Sequence, residues 1–160
     1  MERVGFGYDI HPLVEGRRLY LGGVEIDYPM GLLGNSDADV VIHSLCDAFL
    51  GALALGDLGD YFPPDDPAFK DIRSELLLKE VLKLLEEKGY IPYQIDVTVV
   101  AQAPRLKSYI PAMRENLSKI LHLSLDKVSV KAVSPEGLGA LGRGEGIAAL
   151  SLVKVVEKNA

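Results

Sequence analysis

The stretch Asn35 to Asp47, NSDADVVIHSLCD, places the strongest condition on the fold, because a carboxylate-rich turn runs directly into an apolar run that carries one histidine. Ser36 or Asp37 suits the cap of a helix, and carboxylates in its first turn suit its positive end. Val40, Val41, Leu45, Phe49, Ala52 and Leu53 then recur at helical spacing until Gly56 offers a stop, so the segment reads as a largely buried helix. Such a helix carries His43 into the interior. Asp39, His43 and Asp47 fall on one stripe of it, and carboxylates flanking an imidazole are what a metal-ligating histidine needs to fix its tautomer. A core histidine satisfied by a neighbouring aspartate fits the same pattern.

The chain has enough apolar content to bury such a helix. Its 160 residues are 48% hydrophobic, which suits one domain over residues 1–160 with a core that needs no staples. Twenty-three acidic against seventeen basic residues give a net charge of −6, which disfavours nucleic acid and anionic membrane as partners. The single Cys46 excludes an internal disulfide framework. The MERVGFG start has no signal-like segment, and no apolar stretch approaches the ~20 residues that span a bilayer, so a cytoplasmic location is expected.

In chain order, a short strand at Val4 to Phe6 precedes GYDIHPL, which puts Asp9 and His11 just past the strand end and, two apart, on one side. RRLYLGGVEI reads as a scaffold hairpin turning at Gly22-Gly23. Gly56 to Phe69 holds four aspartates, three prolines and two glycines, a composition that forbids regular structure over most of its length. A loop of that kind is either functional or simply solvated. Ser74-Glu75 open a packing helix closed by Gly89, and Ile95 to Val100 reads as a central strand. That strand ends in AQAPRLK, where Arg105 and Lys107 beside Pro104 make a ligand edge. A helix from Pro111 through Leu121 follows, with His122 beyond it and no role assigned to that residue. A strand at Val128 to Ala132 leads into five glycines between Gly137 and Gly146. GLGALG there matches G-x-G-x-x-G literally, but a dinucleotide fingerprint must open a helix inside a βαβ unit, and what remains reads as a final strand. Glycines allow close approach of another chain or a ligand, which exposes Arg143 and Glu145 between them.

Asp9, His11 and His43 together supply three protein ligands, the number with which a catalytic zinc keeps a position open for substrate. Zn2+ is therefore the expected ion.

GYDIHPL, GLLGNSDADVVIHSLCDAFLGA, LGDLGDYFPPDDPAFK, DVTVVAQAPRLKSYIP, VKAVSPEGLG and GRGEGIA, in this order, resemble the signatures of the 2-C-methyl-D-erythritol 2,4-cyclodiphosphate synthase family across the whole chain. The resemblance implies an α/β fold of α+β type, a mixed β-sheet packed with helices on one side, assembled as a homotrimer with sites shared between subunits. It implies cyclisation of 4-diphosphocytidyl-2-C-methyl-D-erythritol 2-phosphate with loss of CMP, in non-mevalonate isoprenoid synthesis. Asp9, His11 and His43 resemble the zinc ligands, with Ile10 between them in the substrate segment and Asp39 and Asp47 supporting. Asn35 and Ser36 correspond to phosphate contacts, and Asp57, Leu58 and Gly59 to contacts with the methylerythritol portion. Phe62, Pro63, Pro64, Asp65 and Asp66 fall in the adjacent flap. Ala101, Gln102, Ala103, Pro104, Arg105, Leu106 and Lys107 resemble the cytidine pocket contributed by a neighbour. Val133, Ser134, Pro135 and Glu136 match the diphosphate segment, with Glu136 holding a second divalent cation, Mg2+ or Mn2+. Ala140 and Arg143 lie at the substrate's edge, and Arg143 and Glu145 line a trimer cavity able to take an isoprenoid diphosphate. Two positions depart from the family: Asn35 stands where it usually has His, and Val133-Ser134 where it has Thr-Thr. Asn keeps a donor and Ser a hydroxyl, so Asn35 and Ser134 are expected to position substrate, and Asn35 to transfer no proton. A zinc phosphohydrolase, or a trimeric binding module for isoprenoid diphosphates, shares these ligands.

Overall fold

The computed structural model describes residues 1–159. Strands β1 (Glu2–Glu15), β2 (Leu19–Leu21), β3 (Val24–Ile26) and β4 (Met30–Leu32) open the chain, followed by helices α1 (Val40–Ala52), α2 (Leu58–Tyr61) and α3 (Ser74–Glu87). Then come β5 (Tyr90–Val100), α4 (Ile110–Leu121), β6 (Val128–Val133), α5 (Gly139–Gly142) and β7 (Gly146–Glu157). The main sheet runs β4-β1-β7-β5-β6, with β5–β6 parallel and the other pairs antiparallel. Helix α4 makes the crossover that a parallel pair requires. The result is the expected mixed sheet with helices, and β2–β3 form the hairpin at Gly22-Gly23.

Helix α1 rests on the backbone of β1. A Cβ on Gly5 would lie 1.8 Å from the Ala48 carbonyl oxygen, and one on Gly7 1.9 Å from that of Ser44. The helix contributes Val41, Ile42, Leu45, Phe49 and Leu50 to the core, all fully buried, and Ser44 hydrogen-bonds Ser151 of β7 at 2.6 Å. On the opposite face of the sheet Val4, Phe6, Tyr8 and Ile10 of β1 and Leu152 of β7 are exposed.

Three local expectations are corrected. Helix α1 is capped by Asp39, not by Ser36 or Asp37, since Ala38 adopts φ of +58° and breaks the helical path before it. The Asp39 carboxylate accepts from Ile42 N and also from Gly22 N and Gly23 N, so it ties the hairpin to the helix. Strand β1 does not stop at Phe6, because pairing with β7 continues through Asp9–Ala149 and His11–Ile147. The aspartates of the 56–69 loop shape it as caps: Asp57 and Asp60 form a capping box on α2, and Asp66 caps a 3-10 turn at Pro67–Phe69. GLGALG contributes only the single turn α5.

Gly7→Ala is expected to lower unfolding free energy by about 3 kcal/mol or more, because the added methyl meets helix backbone that cannot step aside. Gly51→Ala, where a Cβ would meet only an ordinary contact at 3.9 Å, is expected to stabilise by up to about 1 kcal/mol. Urea midpoints of the two variants check both signs. Burial and the neighbouring Asp37 push the Asp39 carboxyl up to about 7, against the three amides that favour its ionised form. A raised carboxyl pKa makes the folded state bind the extra proton, so this group's contribution to stability falls as pH rises from about 4 to about 7. Between pH 5 and pH 8 the metal-free wild type should therefore lose more stability than Asp39→Asn does.

Candidate metal centre

Strand alternation points Asp9 and His11 to the α1 side of β1, and the seating of α1 brings His43 over them. Asp9 Oδ2 lies 3.1 Å from His11 Nε2 and 3.2 Å from His43 Nδ1. The ligand atoms of the three residues all fall within 4.8 Å of one another, a group able to hold a metal ion. The far nitrogen of each ring is engaged: His11 Nδ1 donates to the Leu33 carbonyl at 3.0 Å, while His43 Nε2 meets Ser74 Oγ at 2.8 Å and Ser36 Oγ at 3.1 Å. That leaves one nitrogen of each imidazole and a carboxylate oxygen facing a common point, a donor set that fits a divalent ion of the zinc type.

The electrostatics agree with this grouping. Burial works to raise the Asp9 pKa, but hydrogen bonds from His11 and His43 and their charge outweigh it and leave the pKa lowered. Burial opposes a charged His43, yet the hydrogen bond and charge of Asp9, with Asp39 and Asp37 behind, raise its pKa. Asp47 is raised by burial, with the Leu58 amide pulling the other way.

Above the centre is a cavity of about 250 Å³ whose wall includes Asn35, Ser36, Asp47, Asp57, Leu58, Gly59, Phe62, Pro63 and Pro64, along with Phe69 and Leu77. Asp65 and Asp66 are not in that wall, although the Asp66 carbonyl accepts from Asn35 Nδ2 at 2.9 Å and so fastens the segment. The backbone does the same, with Asp71 N donating to the Asn35 carbonyl at 2.6 Å. Asn35 stands four residues ahead of the Asp39 cap, outside the first turn of α1. Ile10 points away with the exposed face of β1 and lines a separate cleft with Ala140 and Glu145. Neither expected supporting carboxylate hydrogen-bonds His43: Asp39 is spent on the cap and hairpin, and Asp47 accepts from Leu58 N at 2.7 Å. Ser74 and Ser36 meet His43 instead, with Asp37 behind Ser74, and no sequence pattern assigns Ser74 or Asp37 to the centre. Ser74 lies 31 residues beyond His43 at the start of a helix read as packing alone, so no local pattern marks it.

A second cavity, of about 410 Å³, is lined by Ala101, Gln102, Pro104, Arg105, Leu106 and Lys107 with Val133 and Ser134. It shares no lining residue with the first. Gln102 accepts from Gly137 N at 2.9 Å, which joins the two loops of this rim, and Ser134 Oγ accepts from Glu136 N at 3.0 Å within the second of them. Glu136 is exposed there, outside the Asp9–His11–His43 group. Arg143 and Glu145 form an exposed ion pair.

A model of the YgbB family matches residues 2–156. The chain belongs to this family, that of the 2-C-methyl-D-erythritol 2,4-cyclodiphosphate synthases. It is 54% identical over 157 residues to the protein of that name from Carboxydothermus hydrogenoformans, covering 98% of this chain and 96% of the relative. A bifunctional IspDF from Campylobacter jejuni superposes with a TM-score of 0.94 at 41% identity; the match covers 100% of this chain and 44% of that longer one. A 2C-methyl-D-erythritol-2,4-cyclodiphosphate synthase in its CDP-bound form gives a TM-score of 0.89 at 36% identity, covering 96% of this chain and all of the other. Family membership thus agrees with the order of the sequence signatures.

Purified protein is expected to retain about one divalent ion per chain. His43→Ala should lose that ion and keep its far-UV circular dichroism, measured by elemental analysis after dialysis. Full metal content in the variant would remove His43 from the centre.

Proposed function

We propose that this chain is a synthase of 2-C-methyl-D-erythritol 2,4-cyclodiphosphate, one domain over residues 1–160 acting in the non-mevalonate route to isoprenoids. The three-ligand centre at the base of the Asn35–Pro64 cavity carries this reading, in a chain that matches curated synthases from end to end. The substrate is 4-diphosphocytidyl-2-C-methyl-D-erythritol 2-phosphate. An oxygen of its 2-phosphate attacks the β-phosphorus, the bond from that phosphorus to the CMP oxygen breaks, and CMP leaves with the cyclic diphosphate as the other product. The reaction is intramolecular phosphoryl transfer, so the protein's task is positioning and charge neutralisation, with no nucleophilic side chain. Cys46, fully buried and with its thiol pKa raised by burial, is not such a group.

Asp9, His11 and His43 hold Zn2+, and Glu136 holds Mg2+ or Mn2+. Bound there, these ions supply electrophiles that orient the phosphates and offset their charge. Asn35 Nδ2 has a second hydrogen beyond the one given to Asp66, and it donates to a phosphoryl oxygen, while Ser36 lines the same wall. Asp57 to Gly59 contact the methylerythritol portion, with Phe62 to Asp66 as the flap. The Ala101–Lys107 loop receives the cytidine, in keeping with the solved relative bound to CDP, and Val133 to Glu136 meet the diphosphate.

The assembly is a homotrimer. Two observations support it: the exposed apolar strip Val4, Phe6, Tyr8, Ile10 and Leu152, and the separation on one chain of the metal cavity from the nucleotide rim. A neighbour's rim closes each site, and Arg143 and Glu145 face a central cavity suited to an isoprenoid diphosphate. A cytoplasmic location rests on the lone buried Cys46 in place of disulfides.

The deciding experiment incubates the metal-loaded protein with the substrate in 18O-water. Cyclic diphosphate with CMP supports the synthase; a linear phosphate carrying solvent oxygen, or no turnover, overturns it. Asn35→Ala should lower kcat by about 10²-fold or somewhat less, since losing one such donor costs about 10²–10³. Wild-type kcat against pH should show no limb that Asn35→Ala removes, because an amide does not titrate. Shared sites predict that inactive His43→Ala and Lys107→Ala chains recover activity when mixed and reassembled.

A further inference from the structure

We propose that Ser74 and Asp37, braced by Arg73, are positioning residues of the metal centre, holding His43 in the tautomer that carries its proton on Nε2 and leaves the Nδ1 lone pair for the ion. This rests on the reading of Asp9, His11 and His43 as metal ligands. The two histidines are oriented by different devices. His11 faces the Leu33 carbonyl, an acceptor that admits only N–H at Nδ1. His43 faces hydroxyls, which can donate or accept, so its tautomer depends on where the hydroxyl proton goes. Ser74 is fully buried, and its hydroxyl donates a hydrogen bond to Asp37 Oδ1. Asp37 is itself buried and ringed by donors: Asp39 N at 3.1 Å on Oδ1, Ser74 N at 2.9 Å on Oδ2, and Arg73 Nε 3.4 Å from Oδ2. With its one proton committed to that carboxylate, Ser74 Oγ presents a lone pair to His43 Nε2 at 2.8 Å, and Nε2 must be the donor. Ser36 Oγ accepts from Ala38 N and lies 3.1 Å from the same nitrogen, where it can accept from Nε2–H as well. The proton order Nε2–H to Ser74 to Asp37 therefore runs outward from the site toward Arg73, and in the neutral ring Nδ1 keeps its lone pair for an ion beside Asp9.

The test is the affinity of the full-length, metal-stripped protein for Zn2+ alone, by competition with a chromogenic chelator, for wild type, Ser74→Ala, Ser74→Thr and His43→Ala. Groups that orient a ligating histidine are worth 10–100-fold in metal affinity. Ser74→Ala should therefore bind Zn2+ about 10–100-fold more weakly, and Ser74→Thr, which keeps the hydroxyl, should recover most of that loss. Ser74→Ala binding as tightly as wild type, or Thr failing to rescue a folded Ala variant, overturns the proposal. Should Ser74→Ala not fold, Arg73→Met at the outer end of the chain carries the test: several-fold weaker Zn2+ binding supports the relay and wild-type affinity overturns it. His43→Ala separates the two readings, because undiminished Zn2+ binding there removes the metal centre itself, whereas loss there with no effect at Ser74 and Arg73 removes only the relay.

Discussion

The contact on which the rest depends is that of α1 with the bare backbone of β1. Gly5 and Gly7 leave no side chain between strand and helix, so the carbonyls of Ala48 and Ser44 come down almost onto the strand. Strand alternation puts Asp9 and His11 on the same face, just past the point where the glycines stop. One periodicity thus seats the helix and delivers two candidate ligands beside it. The third, His43, adjoins Ser44, whose carbonyl makes the closest approach to Gly7, so the helix cannot slide without closing on the strand. The 3.2 Å between His43 and Asp9 is a consequence of that seating.

The Asp39 carboxylate fixes the same helix from its other end. By accepting from Ile42 it starts α1, and by accepting from both hairpin glycines it fastens the β2–β3 unit to that start. It does so at a cost visible in its raised pKa, since a fully buried carboxylate close to Asp37 is held by three amides alone. Asp37 and Asp39 are two residues apart and face different tasks, one toward Ser74 and the metal centre, the other toward the hairpin.

Features carried by local pattern were legible in the sequence. The apolar spacing of α1 and α3, the hairpin turn and the pairing of Asp9 with His11 all follow from period and residue type. What was not legible depends on partners remote in the chain. Nothing in NSDAD says which aspartate caps the helix, because the choice is made by the backbone at Ala38 and by amides of a hairpin seventeen and sixteen residues away. The length of β1 is decided by pairing with β7 at the far end of the chain. The stripe of His43 offers only carboxylates as partners, yet the group that meets its ring is a serine that only the packing of α3 against α1 brings near.

The charge of the site bears on why so acidic a chain would handle a phosphorylated substrate. Among the described residues, the wall of the metal cavity contains Asp9, Asp47 and Asp57 and no lysine or arginine. A diphosphate with a further phosphate would enter that space against like charge, which in a partly enclosed site costs more than it does in water. Two of the carboxylates are moderated from within: Asp9 is matched by two imidazoles, and burial raises the Asp47 pKa, which disfavours its charged form. That reduces repulsion but supplies no attraction. Arg17 and Arg73 stand behind this wall, engaged with the Ser36 carbonyl and the Asp37 carboxylate, while Arg105 and Lys107 line the other cavity. Under the proposed activity the attraction must then come from bound divalent ions and from a neighbouring subunit's rim, and neither belongs to an isolated, metal-free chain. On that proposal substrate binding is tied to an assembled and metal-loaded state, which is where a reaction that relies on positioning would have its phosphates held and water excluded.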